Sequence, residues 1–328
     1  MKTSSAFSRP LFAAALAAGL ALGGIAAIAP APALAAAPQV KTQAPGWYRV
    51  MLGDIEITAI SDGTLPLPVD KLLNNPAART EKALTRSYQK APVETSFNSY
   101  LVNTGDKLVL IDTGAGKLFG PTLGNMIANL KAAGYTPEQV DEIYITHMHP
   151  DHVGGLMLDG KAAFPNAVVR ADQHDADYWL SQAKMDAAPK ETQDFFKGAM
   201  ASLKPYVDGG KFKPFEGNTD LVPGVKAVVA HGHTPGHTTY VVESKGQKLV
   251  LWGDLMHVAA VQFAEPGVTI QFDTDNKAAK AQRAKAYADA AKGGYWVAAA
   301  HLSFPGIGHL RKEGAGYVFV PVNYSSLK

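Results

Sequence analysis

The stretch "THMHPDH", Thr146 to His152, constrains this chain more than any other. Three histidines and an aspartate fall within six positions, directly after the apolar run "EIYI". Such side chains are poor core residues unless they are paired. His147 and His149, two apart at a strand end, can share one cation. Asp151 and His152, beyond the turn at Pro150, can face a second. Four ligands do not close two sites, because each zinc takes three or four protein ligands, with water in an open position. The fold must therefore deliver more His or Asp side chains from distant strand ends to the same place.

The later sequence supplies them. "HGHTPGHT" follows a predicted strand and contains His231, His233 and His237. "LVLWGDLMH" puts Asp254 just past an apolar strand, and "YWVAAAHLSFPG" puts His301 just past another. A single histidine at a strand end more often hydrogen-bonds its loop than binds a metal. It is the combination that points to a metal centre in a cleft at the strand ends. His174, in the polar stretch "ADQHDADYW", reads as solvated, and His309 has no role in this reading.

Composition narrows the setting. The chain has 328 residues, 47% hydrophobic and 18% charged, which is ordinary for a globular protein. It has no cysteine, so disulfides are excluded and any metal must use His, Asp or Glu. Residues 1–35 read as a secretory leader. Lys2 and Arg9 precede the apolar run "LFAAALAAGLALGGIAAIA", and Ala33-Leu34-Ala35 offers a small-x-small cleavage site. The expectation is a periplasmic or secreted protein with no stable membrane insertion once the leader is cut, and a catalytic domain over residues 36–328. Without Lys2 and Arg9 the 31 basic residues become 29, against 29 acidic. A formally neutral chain with no basic block is not expected to bind nucleic acid.

Hydrophobic periodicity predicts hairpins turning at Gly53-Asp54 and Gly105-Asp106, with a Pro-interrupted, partly helical segment over 64–96. Helices are expected over 122–133, 172–180, 191–203 and 276–291. Strands are expected near 167–171, 225–230, 238–243 and 248–252, with a last one over 295–300. Hairpins mixed with crossovers predict an α/β sandwich with mixed sheets. No Gly-rich phosphate loop follows any strand.

On "THMHPDH", "GHTPGHT", "WGD" and "AAHLSFPGIGH", the chain resembles the metallo-β-lactamase-fold hydrolases over essentially all of its length after the leader. The resemblance implies an αββα sandwich, two mixed β-sheets flanked by helices, with the site at one edge. It implies two Zn2+, with Mn, Co, Fe or Cd as possible substitutes. His147, His149 and His237 would hold one ion, Asp151, His152 and His301 the other, and Asp254 would bridge them. Asp151 and Asp254, with a hydroxide between the ions, would form the catalytic group. Asp112 in "LVLIDTG" matches the family's strand-end aspartate. Asp254 and the absence of cysteine argue against a β-lactamase and toward lactonases, thioesterases and phosphoesterases.

"GWYRVMLGDIEITAISDG", "AFPNAVVRADQ", "FFKGAMASLKPYV" and "HLSFPGIGH" are similar to the methyl parathion hydrolases and the dihydrocoumarin (aryl lactone) hydrolases. Those enzymes are exported and generally dimeric, so a homodimer is expected. Similarity implies a pocket of Phe119, Trp179 and Phe195, with Leu65, Leu67, Leu72, His257, Ile270 and Phe272 completing the wall. The parathion hydrolase pattern has Arg for Leu72, Leu for His257, Thr for Ile270 and Leu for Phe272, and an extra serine near Thr192. Bulkier Ile270 and Phe272 suit a planar aryl lactone better than a tetrahedral triester. The expected function is therefore hydrolysis of aryl lactones or esters such as dihydrocoumarin, with promiscuous organophosphate turnover. The alternatives are a methyl parathion hydrolase proper and an N-acyl homoserine lactonase.

Overall fold

Alternation along the strands sorts the apolar side chains into layers. The computed structural model describes residues 37–327, and the expected leader, residues 1–35, lies outside them. Among the described residues no helix is long and apolar enough to cross a membrane. The first half of the chain runs β1 (Trp47–Leu52), β2 (Ile55–Leu67), α1 (Val69–Leu72), α2 (Ala77–Arg86), β3 (Val93–Asn103), β4 (Leu108–Ile111), α3 (Met126–Ala132), β5 (Glu142–Tyr144), α4 (Pro150–Val153), β6 (Met157–Leu158), β7 (Lys161–Ala162) and β8 (Val168–Arg170). The second half runs α5 (Gln173–Trp179), α6 (Gln182–Ala187), α7 (Lys190–Asp208), β9 (Thr219–Val222), β10 (Val225–Val229), β11 (Thr238–Ser244), β12 (Gln247–Leu251), α8 (Ala259–Gln262), α9 (Asn276–Gly293), β13 (Trp296–Ala298), β14 (Ile307–Glu313) and β15 (Gly316–Pro321).

Six strands form one sheet in the order β1-β2-β3-β4-β5-β8, and seven form another, β15-β14-β13-β12-β11-β10-β9. Both are mixed. β4, β5 and β8 run parallel, as do β12 and β13, and the other pairs are antiparallel. In β4, Val109 and Ile111 face the second sheet, where they join Tyr240, Leu249 and Leu251. Their neighbours Leu108 and Leu110 face outward onto Leu130 of α3 and Phe196 and Leu203 of α7. In β12, Val250 points outward instead, toward Tyr287 of α9. The period-2 alternation thus builds an inter-sheet core with a helical layer on each outer side.

Several expectations need correction. The segment after the first hairpin is strand as far as Leu67, because β2 keeps its pairing with β3 to Val93. The helix expected over 122–133 starts at Met126, four residues late, since Gly124 takes a left-handed φ of +86°. α7 continues past Pro205 to Asp208, anchored by buried Tyr206, whose hydroxyl donates to the Leu156 carbonyl at 3.1 Å and accepts from the Phe164 amide at 3.1 Å. The strand near 295–300 is not the last, for β14 and β15 form a further hairpin. α6 and β9 were also not expected; both are short and carry no strong apolar period.

Candidate metal centre

The chemistry-bearing side chains follow the carboxyl ends of strands. Asp112 follows β4, the "HMHPDH" loop follows β5, His231 and His233 follow β10, Asp254 follows β12, and His301 follows β13. Parallel pairing of β4 with β5 and of β12 with β13 puts these ends on the same edge of each sheet. At Gly253 the chain turns with φ +55°, and a Cβ there would lie 2.8 Å from Thr146 Cβ and 2.9 Å from His237 Nε2. Gly253→Ala should therefore cost about 2–4 kcal/mol from left-handed strain and overpacking, read as a lowered thermal midpoint. An unchanged midpoint would show that the turn tolerates a side chain.

Two clusters form, and in each the ligand atoms lie within 4.8 Å of one another. The first is His147, His149, His233 and Asp254. The second is Asp151, His152, Asp254 and His301. In the first, His147 Nε2 is 3.0 Å from His149 Nδ1, and His149 Nδ1 is 3.1 Å from His233 Nε2. Asp254 Oδ2 stands 3.6 Å from His147 Nε2 and 3.5 Å from His233 Nε2. In the second, His152 Nε2 is 3.4 Å from Asp151 Oδ2 and 3.3 Å from Asp254 Oδ1. His301 Nε2 is 3.5 Å from Asp151 Oδ2 and 3.2 Å from Asp254 Oδ2. Asp254 belongs to both clusters.

The opposite ring nitrogens are held from behind. His233 Nδ1 donates to Asp273 Oδ1 at 2.8 Å, and His152 Nδ1 to Asp112 Oδ2 at 2.9 Å. His301 Nδ1 donates to the Ser96 carbonyl at 3.1 Å. Each such bond puts the ring proton on Nδ1 and leaves Nε2 free as a donor atom for a metal. Asp112 also accepts from the Thr146 amide and hydroxyl, both at 2.8 Å, and so ties β4 to the first ligand loop.

Burial, then the neighbouring imidazoles, push His147 and His149 well below the usual histidine range, into the neutral form a ligand needs. Burial alone would also lower His152 and His301. The carboxylates of Asp254 and Asp151 outweigh it, and His301 is raised to about 10. Burial would raise both aspartates, but the surrounding histidines hold them well below the usual carboxylate range.

The donors fit a pair of divalent cations. His152 Nε2 and Asp254 Oδ1 are buried and have no hydrogen-bond partner. Three imidazole nitrogens within 3.1 Å of their neighbours cannot all be satisfied by sharing protons. Tetrahedral zinc with bonds of about 2.0–2.1 Å spaces its nitrogen ligands roughly 3.3 Å apart, close to what is seen. The arrangement is that of a binuclear metal-binding cluster.

One expected ligand lies outside the two clusters. His237 does not join the first cluster, and His233 takes that place. His237 Nε2 accepts the Asp254 backbone N–H at 3.0 Å, and burial first of all drives the ring's pKa down to about 3. The ring is a buried acceptor beneath the Asp254 turn. Sequence spacing did not separate the two histidines, since both lie in one loop; only the path of the chain into β11 does.

A small pocket of about 60 Å³ opens on the cluster. Leu65, Leu67, Phe119, Phe195, His257 and Phe272 line it, as expected, over a floor that includes Asp151, Asp254 and His301. Phe97 lines it too and was not foreseen; its ring meets that of His301 edge-on at 4.7 Å. Three expected wall residues lie elsewhere. Trp179 is buried behind His149, its ring edge-on at 5.0 Å. Ile270 is fully buried and Leu72 partly so, in a satellite core with Val69, Leu84 and Val261. They shape the pocket only through the residues they support.

The sequence profile of the metallo-beta-lactamase superfamily matches residues 95–302. The chain belongs to that superfamily, and its layered fold is the one that name describes. Among solved structures, it is similar to the hydrolase AbOPH in the beta-lactamase superfamily, at 40% identity and a TM-score of 0.83 over 87% of this chain and all of that one. It is also similar to AidC, a dizinc quorum-quenching lactonase, at 26% identity and a TM-score of 0.79 over 86% of this chain and 99% of AidC. Among curated proteins, an N-acyl homoserine lactonase from Bacillus cereus is 27% identical over 171 residues, 46% of this chain. That match spans 60% of the lactonase's own length.

Proposed function

We propose that this protein is a metal-dependent hydrolase of aryl lactones and aryl esters such as dihydrocoumarin, with phosphotriester turnover as a side activity. The observation that carries this reading is the pocket. Four phenyl rings, Phe97, Phe119, Phe195 and Phe272, and two leucines form its wall, and the Asp-His cluster forms its floor. A flat apolar ring fits the wall while an ester or lactone carbonyl meets the floor.

The two clusters would hold two divalent cations, zinc by the His/Asp donor set and by the description of AidC. Such a pair activates water near neutral pH and polarises a carbonyl or phosphoryl oxygen. The chain's own residues do the rest. Asp254 stands in both ligand sets and so couples their positions. Asp151 and Asp254 are kept ionised by the histidines around them. Burial lowers the pKa of His257, so its ring is neutral at pH 7 and carries one proton. Its Nε2 lies 3.0 Å from Asp254 Oδ2, at the pocket floor. The phenyl wall excludes water and receives the departing phenolate. A phenolate needs little help from a general acid, which suits a site with no strong one.

The test is kcat/KM of the zinc-loaded protein on dihydrocoumarin, N-hexanoyl-homoserine lactone and methyl parathion. We expect dihydrocoumarin to exceed methyl parathion by about a hundredfold, roughly 3 kcal/mol in transition-state binding. Parity or a triester preference overturns the reading. A second reading, an N-acyl homoserine lactonase, is favoured by the curated relatives and by AidC, and a clear preference for the acyl lactone would establish it. Within the pocket, His257→Leu with Phe272→Leu should raise triester turnover relative to lactone by about tenfold, since the second change removes a ring from the wall and the first replaces a polar imidazole at the floor by an apolar side chain. An unchanged ratio would remove those residues from specificity.

A further inference from the structure

A third group of potential ligands lies apart from the two clusters. Asp172, His174 and His231 each bring one donor atom within 4.8 Å of the others. The Asp172 side chain has no exposed surface, and its carboxylate is aimed by fixed bonds. Its Oδ1 accepts the His174 amide at 2.8 Å and lies 2.8 Å from His174 Nδ1, while Oδ2 lies 3.2 Å from His231 Nε2. The imidazoles come from different segments, α5 and the loop after β10, yet their ring centres are only 4.9 Å apart. Both reach solvent, with 59% of the His174 side chain exposed and 29% of His231. Burial would raise the Asp172 pKa, but bonds from His231 and His174 reverse this and keep it ionised. Two imidazoles and a pre-aimed carboxylate with a solvent-facing side are a donor set that borderline transition metals favour.

We propose that Asp172, His174 and His231 form a separate, solvent-accessible site for one borderline divalent cation such as Zn2+ or Ni2+. The ion would be held by the three side chains, with water in its remaining positions. Occupancy would tie the start of α5 to the loop that carries His233. The same helix already grips that loop, because Asp175 Oδ1 accepts the Gly236 amide at 2.5 Å. Its Oδ2 accepts the Met148 amide at 2.8 Å, so α5 touches both loops of the first cluster. The added ion would thus stiffen the support of the binuclear centre without entering it.

The experiment is a titration of Zn2+, and separately Ni2+, into protein freed of loosely held metal by gel filtration. Calorimetry and metal analysis would follow it, for the natural chain and for His174→Ala and His174→Gln. We expect one weak equivalent beyond the retained metal, and a rise in thermal midpoint as it fills. Both variants should lose about tenfold or more in affinity for that equivalent and keep the retained metal. The His174 side chain is largely exposed, so neither variant endangers folding. Absence of the extra equivalent up to ~100-fold metal excess, where even weak sites fill, overturns the proposal. So does an extra equivalent that both variants bind as tightly as the natural chain. Because the count is taken beyond the retained metal, these outcomes do not depend on what the binuclear centre hydrolyses.

Discussion

Asp254→Ala should lower kcat/KM on dihydrocoumarin by about 1,000-fold or more, some 4 kcal/mol of transition-state stabilisation. Metal content should fall from about two ions per chain to one or fewer. The reason is geometric. Asp254 is the single side chain common to both ligand sets, its two oxygens 3.2–3.6 Å from the Nε2 atoms of His147, His152, His233 and His301. Its removal also takes away the carboxylate that does most to raise His152 and His301 against burial. Their pKa values would fall, but with the shared ligand gone neither cluster is closed. Retention of two ions and a rate within tenfold of the natural chain would show that the clusters do not share this residue.

The second large effect separates two histidines four residues apart. His233→Ala should lose one metal ion and at least ~100-fold in kcat/KM, because it deletes one of the three imidazoles of the first cluster. His237→Ala should keep the metal. It removes the acceptor for the buried Asp254 amide, so its main effect should be on stability, about 1–3 kcal/mol for an unsatisfied buried donor. Metal analysis and thermal unfolding of the two variants, made side by side, decide the matter. The reverse pattern, with metal lost from His237→Ala alone, would restore the assignment that sequence similarity suggested.

Much of the site was legible because metal chemistry restricts residue types and strand ends restrict their places. The cluster His147, His149, Asp151 and His152 is local, so its spacing can be read directly. Asp254 and His301 each stand just beyond an apolar run that can only be a buried strand, and the structure puts both against the cluster. Six of the expected pocket residues line the cavity. Phe97 escaped notice because it lies within β3, where a phenylalanine reads as core. Trp179 and Ile270 were expected at the surface of the pocket but lie behind it, since apolar character does not say which side of a wall a residue occupies.

The amino-acid sequence by itself determined the layered α/β class, the demand for a metal and most of the side chains that the structure gathers into the two clusters. These follow from local periodicity and from the cost of burying histidine and aspartate without partners. Only the tertiary structure sets His233 in the first cluster and His237 beneath the Asp254 turn. In a loop bracketed by two strands, the direction of each ring depends on what packs beneath it, here the Gly253–Asp254 turn arriving from β12. The pocket wall was decided the same way, by contacts between segments far apart in the chain, such as the edge-on meeting of Phe97 and His301. Long-range packing of this kind leaves no periodic trace in the sequence, because it depends on where separate elements meet rather than on the pattern within any one of them.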